Sequence, residues 1–259
     1  MAGPASRLSA EEREAAIFSE VQRAGFASIT ALSEALAVSD MTIRRDVRKL
    51  AGNGELRIVH GGVSLAHGTL TATFAGRAEQ ESEAKRLIAE AALRLVPANA
   101  TIAIDSGTTC FGVAAGLDRD FRGCVITHSV PVLHQMLNFP HATVIGLGGE
   151  LLPESQVLIG AATTAAARGL SIDIFFLGAN SVDARGVYLR GQRERPVKSA
   201  LMHSASRVVL LVDGAKLKHS APVRLVELTG VTVMITTDPV PTEVRRACEE
   251  AGIELIVAS

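Results

Sequence analysis

Four cations and a hydroxyl, Thr42, Arg44, Arg45, Arg48 and Lys49, are crowded into one short stretch of this chain. If Ser39 caps a helix there, Ile43, Val47 and Leu50 fall on one inward stripe at i, i+4, i+7, and the basic side chains face outward. Such a helix repels itself unless an anion receives it, and a phosphate backbone is a suitable recipient. Taken alone, the run also fits a solvated charged face. A second group, Asp105-Ser106-Gly107-Thr108-Thr109, lies between an apolar strand and a helix. Gly107 lets the backbone turn sharply, amides at a helix start attract an anion, and three hydroxyls add donors. Asp105 would repel a phosphate and suits sugar hydroxyls better, while a capped turn with Asp105 or Ser106 as the cap accounts for the same residues. Thr127-His128-Ser129 also follows a strand, although His128 by itself reads equally as a structural histidine. Asp213 and Lys216, past another strand, can hold a sugar phosphate or simply pair with each other. Arg193, Arg195 and Lys198 gather at the head of a predicted helix, where an anionic ligand would relieve their conflict with the helix dipole.

The elements around the basic helix give it a context. A predicted helix over 11–25 carries Ala15, Ile17, Phe18 and Val21 on one side and stops at Gly25. Ser28 can cap a second helix over 29–36, and only Ala37-Val38-Ser39 separate it from the basic one. Two short helices joined by so tight a turn match the helix-turn-helix unit, whose second member enters the major groove. Downstream, Leu56, Ile58 and Val63 alternate around a Gly-Gly turn, which predicts a β-hairpin wing with Arg57 and His60 near the DNA backbone.

Beyond a stretch rich in Gly, Thr and Ala, apolar strands alternate with helices to the end of the chain: strands over 101–104, 124–127, 143–147, 172–177, 208–212, 231–235 and 254–257. Near-continuous apolar strands between helices predict a mostly parallel sheet covered on both faces, with ligands at the carboxyl ends of its strands. The expected organisation is a winged helix-turn-helix domain over 1–62, a linker over 63–75 and a Rossmann-like α/β domain over 76–259. With 259 residues, 47% of them hydrophobic, the chain can build both cores. Aromatics make up 3%, too few for base-stacking platforms on single strands, and a net charge of −1 leaves any duplex affinity to a local patch. The amino terminus lacks a signal-peptide core and no apolar run reaches bilayer length, so a cytoplasmic protein without membrane contact is expected. Three scattered cysteines support neither a disulfide framework nor a metal site.

The residues from Val38-Ser39 through Thr42-Ile43-Arg44-Arg45-Asp46-Val47, followed by His60-Gly61-Gly62-Val63, resemble the DNA-binding signature of DeoR-type bacterial transcription regulators. Ile58 stands where that family usually has an arginine. The second part is similar to the family's sensor domain, itself similar to ribose-5-phosphate isomerase, at Phe74 with Arg77, Lys85, residues 105–109, 127–129, Gly148-Gly149, 176–180, Lys198, and Asp213 with Lys216. Ser181 replaces a usual glycine, and Gly214-Ala215 a serine-containing loop. The resemblance implies that the 107–109 loop and Lys216 hold the phosphate of a sugar effector, with Asp105 on its hydroxyls. Ser39, Thr42, Arg44, Arg45, Arg48, Lys49, Arg57 and His60 are then expected at double-stranded operator DNA. Arg77, Asp105, Ser106, Gly107, Thr108, Thr109, Thr127, Ser129, Lys198 and Lys216 are expected at the effector.

The expected function is a sequence-specific regulator, a repressor of a carbohydrate catabolism operon released by a phosphorylated sugar. It would act as a symmetric homo-oligomer, dimer or tetramer, with no cofactor, metal or catalytic residue. Two other readings stand beside it. A sugar-phosphate isomerase would need a carboxylate base next to a cation, and Asp105, Asp183, Glu194 and Lys216 supply the types without a spacing that singles one out. A DNA-binding protein without any ligand would leave the 105–109 loop unexplained.

Overall fold

The computed structural model describes residues 9–24, 26–52, 56–59, 62–65, 74, 82–217 and 221–259. The chain divides into two compact units, Met1–Gln80 and Glu81–Ser259. The first is built from α1 (Ala10–Ala24), β1 (Phe26–Ser28), α2 (Ile29–Ala35), α3 (Asp40–Gly52), β2 (Leu56–Val59) and β3 (Gly62–Leu65). Ile17 and Val21 of α1, Leu32 of α2, and Ile43, Val47 and Leu50 of α3 close on Leu56 and Val63 in one core. The i, i+4, i+7 stripe is therefore the buried side of α3, as its spacing predicts. Strands β1, β3 and β2 form a small antiparallel sheet in that order, so Val63, Ser64 and Leu65, expected at the head of a linker, belong to its central strand.

The turn between α2 and α3 is set by local chemistry. Ser28 caps α2, its Oγ accepting from the Ala31 amide at 3.0 Å. At the other end the Val38 amide donates to the Ser33 carbonyl at 3.1 Å and the Ala37 amide to that of Glu34 at 3.3 Å. These two bonds, with Ala37 at φ 52°, make a Schellman close in which a non-glycine residue takes the left-handed position. Val38 then packs against the α2–α3 core, and Ser39 starts the next helix.

The second unit holds a seven-stranded parallel sheet in the order β15-β14-β12-β9-β4-β5-β6. Its strands are β4 (Thr101–Ile104), β5 (Cys124–Thr127), β6 (Thr143–Gly146), β9 (Ile172–Gly178), β12 (Ala205–Leu211), β14 (Val233–Thr236) and β15 (Glu254–Val257). Side chains alternate across it: Ile102, Ile104, Ile174, Phe176, Val209 and Leu211 face one layer, Ala103, Phe175, Leu177, Val208 and Leu210 the other. Helices α4 (Ser82–Leu93), α5 (Thr108–Gly116) and α6 (Val130–Met136) contribute to the first layer, and α7 (Ala161–Arg168), α8 (Arg195–Ser204) and α9 (Thr242–Glu250) to the second. Strands β7 (Glu150–Leu152) and β8 (Val157–Ile159) make a hairpin, and β10 (Ser181–Asp183), β11 (Gly186–Leu189) and β13 (Val223–Val226) a further small sheet. These five strands of three or four residues carry too little alternation to be read from sequence.

Chain direction reverses at the centre of the large sheet. From β4 the chain moves outward through β5 to β6, while β9, on β4's other side, leads to β12, β14 and β15. The carboxyl ends of β4 and β9 are thus a topological switch point, where open α/β sheets leave a crevice for ligands.

In the first unit α1 is pinned to α3 by a charge pair, Arg13 Nε donating to Asp46 Oδ2 at 2.6 Å and its Nη2 to Oδ1 at 3.3 Å. Asp46 is nearly buried, so Asp46→Ala should cost the first unit about 2 kcal/mol, seen as a lower denaturant midpoint with α3 still helical.

Candidate functional site

On α3 the cap forms as expected: Ser39 Oγ accepts from the Thr42 amide at 3.3 Å and lies 2.9 Å from the Thr42 hydroxyl. With Ile43, Asp46, Val47 and Leu50 buried, Arg44, Arg45 and Arg48 stand exposed. None of the three has an ion-pair partner among the described residues. Lys49 differs. Its ammonium donates to both carboxylate oxygens of Glu14 on α1, at 2.8 and 2.9 Å, and that hydrogen bond holds it above the usual lysine range. Its charge is answered inside the unit, on the flank that meets α1. Arg57 lies in β2 and His60 outside the described residues, as does Arg77.

In the second unit the switch point is occupied by a buried ionic cluster. Asp105 follows β4 and is fully inaccessible. Its Oδ2 accepts from the Gly178 amide, at the end of β9, at 2.9 Å, and from the ammonium of Lys198 on α8. Its Oδ1 faces Nε2 of the equally buried His128 at 3.0 Å, and His128 Nδ1 lies 3.1 Å from the Leu158 carbonyl of β8. The ring thus links the Asp105 carboxylate to the backbone of β8. Burial by itself would raise the Asp105 carboxyl, but the Lys198 charge and the His128 contact outweigh it and hold the group at about 2. Burial likewise works against the Lys198 ammonium, and Asp105 and Glu194 reverse it and raise the group. Gly178 suits this close approach: a Cβ would lie 3.0 Å from the Ser106 carbonyl and from Cys110 Sγ, so either would have to give way.

Glu194, at the head of α8, completes the cluster. It lies 3.7 Å from Lys198 Nζ, and it accepts from Ser106 Oγ at 3.3 Å and from Ser155 Oγ, in the β7–β8 turn, at 2.8 Å. Neither Asp105 nor Ser106 caps α5: that helix begins at Gly107, φ 98°, without a side-chain cap, so the capped-turn reading of the loop does not hold. Three buried hydroxyls, Thr109, Ser129 and Ser181, have no partner among the described residues. They follow β4, β5 and β9, three adjacent strands. Buried hydroxyls are ordinarily bonded, which sets these three apart.

The expected residues sort accordingly. Asp105, Ser106, Gly107, Thr109, Ser129 and Lys198 come together at the switch point, and Thr108 opens α5. Asp105 has both oxygens occupied within the chain, so its place is that of a keystone rather than of an open acceptor for sugar hydroxyls. Thr127 is also committed, donating to the Ile104 carbonyl at 2.7 Å and accepting from the Ser129 amide at 3.1 Å. Lys216 sits 3.5 Å from Asp213 and is partly exposed, the mutual pairing that sequence allows. Sequence reasoning set His128 aside and gave Glu194 no place in the cluster. The i, i+4 spacing of Glu194 and Lys198 carried a signal, whereas His128 meets a partner far along the chain and carried none.

Residues 80–238 match the profile of the DeoR C terminal sensor domain, and residues 13–69 that of the DeoR-like helix-turn-helix domain. The chain belongs to the DeoR family. This DeoR-family chain is 27% identical over 253 residues to the HTH-type transcriptional repressor CsqR of Escherichia coli, covering 97% of each. To the Glycerol-3-phosphate regulon repressor of Escherichia coli it is 28% identical over 245 residues, 94% of this chain and 97% of the relative. Among solved structures, ribose 5-phosphate isomerase A from Methanocaldococcus jannaschii matches with a TM-score of 0.39 and 18% identity, over 53% of this chain and 55% of that one. The DeoR-family chain is thus a transcription regulator with a winged helix-turn-helix and an α/β sensor domain. No described helix is long and apolar enough to cross a membrane.

The sensor domain of this DeoR-family protein should be acid-sensitive in a defined window. Asp105 sits at about 2 when folded against an ordinary value of 3.8, so as pH falls from about 4 toward 2 the unfolded chain takes up a proton that the folded one refuses. That stability, about 2 kcal/mol by linkage, is complete above pH 4 and is lost through the window. Asp105→Asn should flatten the pH dependence between 4 and 2 and, by stranding Lys198, lower stability at pH 7 by about 3 kcal/mol in denaturant titrations.

Proposed function

We propose that this regulator represses a carbohydrate catabolism operon, binding operator DNA as a symmetric homo-oligomer in the cytoplasm and letting go when a phosphorylated sugar occupies the sensor domain. The observation that carries the DNA part is the trio Arg44, Arg45 and Arg48, exposed and unanswered on a helix whose opposite side is locked into the core. Arginine forks suit both phosphate oxygens and guanine edges. Ser39 and Thr42 lie at the amino end of the same helix, where amides and hydroxyls meet backbone phosphates, and Arg57 and His60 are assigned to the wing. Operators repeat half-sites with the DNA turn, which a two-fold oligomer matches.

The effector part rests on the orphan hydroxyls of Thr109 and Ser129, the uncapped start of α5 and the Lys198 cluster, all at the carboxyl edge of adjacent strands. Gly107, Thr108, Thr109 and Lys216 would take the phosphate, and Ser106, Ser129 and Arg77 the remainder of the ligand. The glycerol-3-phosphate regulon named for one relative fits an effector of this chemistry. An isomerase is disfavoured on physical grounds. Its base must be ready to accept a proton from carbon, whereas Asp105 is held at about 2 with donors on both oxygens, and Glu194 accepts from two serines beside Lys198.

Two outcomes follow from these assignments. Arg48→Ala should weaken operator binding about tenfold and reduce the salt slope, d log K/d log[salt], by about 0.9 in gel-shift titrations. Lys49→Ala, whose ammonium is already paired with Glu14, should leave that slope within about 0.3 of the parent. At the sensor, Thr109→Val removes an unbonded buried hydroxyl without changing shape, so the ligand-free chain should gain up to about 1 kcal/mol. The same variant should bind operator normally and need about tenfold more sugar phosphate for release. Unchanged induction with lowered stability would remove Thr109 from the site.

A further inference from the structure

Glu194 has no part in the family resemblance read from sequence, yet it bridges three segments around the effector loop. It accepts from Ser106 in the loop after β4 and from Ser155 in the β7–β8 turn, and it faces Lys198 along its own helix. The same hairpin is tied twice more. Arg193, next in the chain, pairs with Glu150 at its start, and the His128 ring meets the Leu158 carbonyl on its return strand. Lys198 is buried with the Asp105 carboxylate on its ammonium, and the partly exposed Glu194 carboxylate lies 3.7 Å from the same ammonium.

Building on the effector site assigned above, we propose that Glu194 is an internal counter-ion holding the place of the effector's anion, which the effector evicts by ion exchange. A phosphate entering at Ser106 and the start of α5 brings negative charge next to the Glu194 carboxylate, and the two repel each other at close range around the one Lys198 ammonium. The carboxylate leaves to solvent, which its partial exposure allows, and gives up the Ser106 and Ser155 hydroxyls. Ser106 then donates to the arriving anion. Ser155 is left without its acceptor, so the hairpin turn loosens as a direct consequence of ligand binding. Occupancy of the sensor is thereby converted into a change at the β7–β8 hairpin.

The test uses the full chain and inorganic phosphate as the probe, titrated by calorimetry into four proteins. Glu194→Gln keeps an oxygen to accept from one serine and offers an amide N–H to the other but removes the charge, and should bind phosphate about tenfold more tightly than the parent. Ser155→Ala leaves the charge and removes one of its anchors, and should tighten binding about threefold. Glu154→Gln, an exposed acid in the same turn with no contact to the cluster, should leave the affinity unchanged. In the parent, phosphate should also speed amide exchange in residues 154–156, and Glu194→Ala should show that faster exchange without phosphate. Parent-like or weaker binding in Glu194→Gln, equal tightening in Glu154→Gln, or exchange in the turn that ignores phosphate would each overturn the counter-ion role while leaving the effector site in place. Absence of phosphate binding in all four proteins would overturn the effector site and the counter-ion role with it.

Discussion

A carboxylate buried without water has to be neutralised, and the sensor domain is arranged around that requirement at Asp105. The group sits at the one place in a parallel sheet where two neighbouring strands send the chain in opposite directions. Its neutralisation draws Lys198 in from α8, His128 from the loop after β5 and the Gly178 amide from the end of β9. Each partner belongs to a different segment, so one charge ties together the loops that a ligand must meet. A hydrophobic core of the same volume would be at least as stable, but it would not orient hydroxyls and amides toward a crevice.

The DNA-binding unit uses the same device on a smaller scale. Asp46 is an acidic residue inside a basic helix, and it turns inward to receive the Arg13 guanidinium from α1. That pair adds a polar restraint to the apolar stripe of Ile43, Val47 and Leu50, fixing the rotation of α3 about its axis. Rotation decides which cations face outward. Lys49 is brought beside Glu14, and Arg44, Arg45 and Arg48 are left exposed. The net charge over the whole chain is −1, whereas these three cations are concentrated on the exposed side of α3.

A sensor domain must differ between its empty and filled states in more than occupancy. Glu194, partly exposed, touches Lys198, Ser106 and Ser155 and so joins the loop after β4 to the β7–β8 turn. Thr127 has its hydroxyl committed within the chain, whereas the hydroxyls of Thr109, Ser129 and Ser181 have no partner among the described residues.

Much of this was legible in the sequence, for reasons that lie in periodicity. Ile43, Val47 and Leu50 set the buried side of α3, Ser28 and Ser39 mark helix starts with hydroxyls that accept from the backbone, and apolar runs such as 172–177 can only be interior strands of a covered sheet. Post-strand positions of Asp105, Ser106 and Ser129 followed from that alternation alone. Tertiary structure decided what periodicity does not encode. The β7–β8 hairpin and the β10-β11-β13 sheet are too short to carry a pattern, and their existence rests on docking against elements far away in the chain. Lys49 is equivalent to Arg48 as a residue type until α1 places Glu14 beside it. Asp105 reads as an open acceptor until His128 and Lys198, 23 and 93 residues further on, arrive at its two oxygens. Spacing along a chain tells which side of an element a residue occupies, but partners for buried charge are chosen by folding, since only burial makes an unpaired charge costly enough to require them.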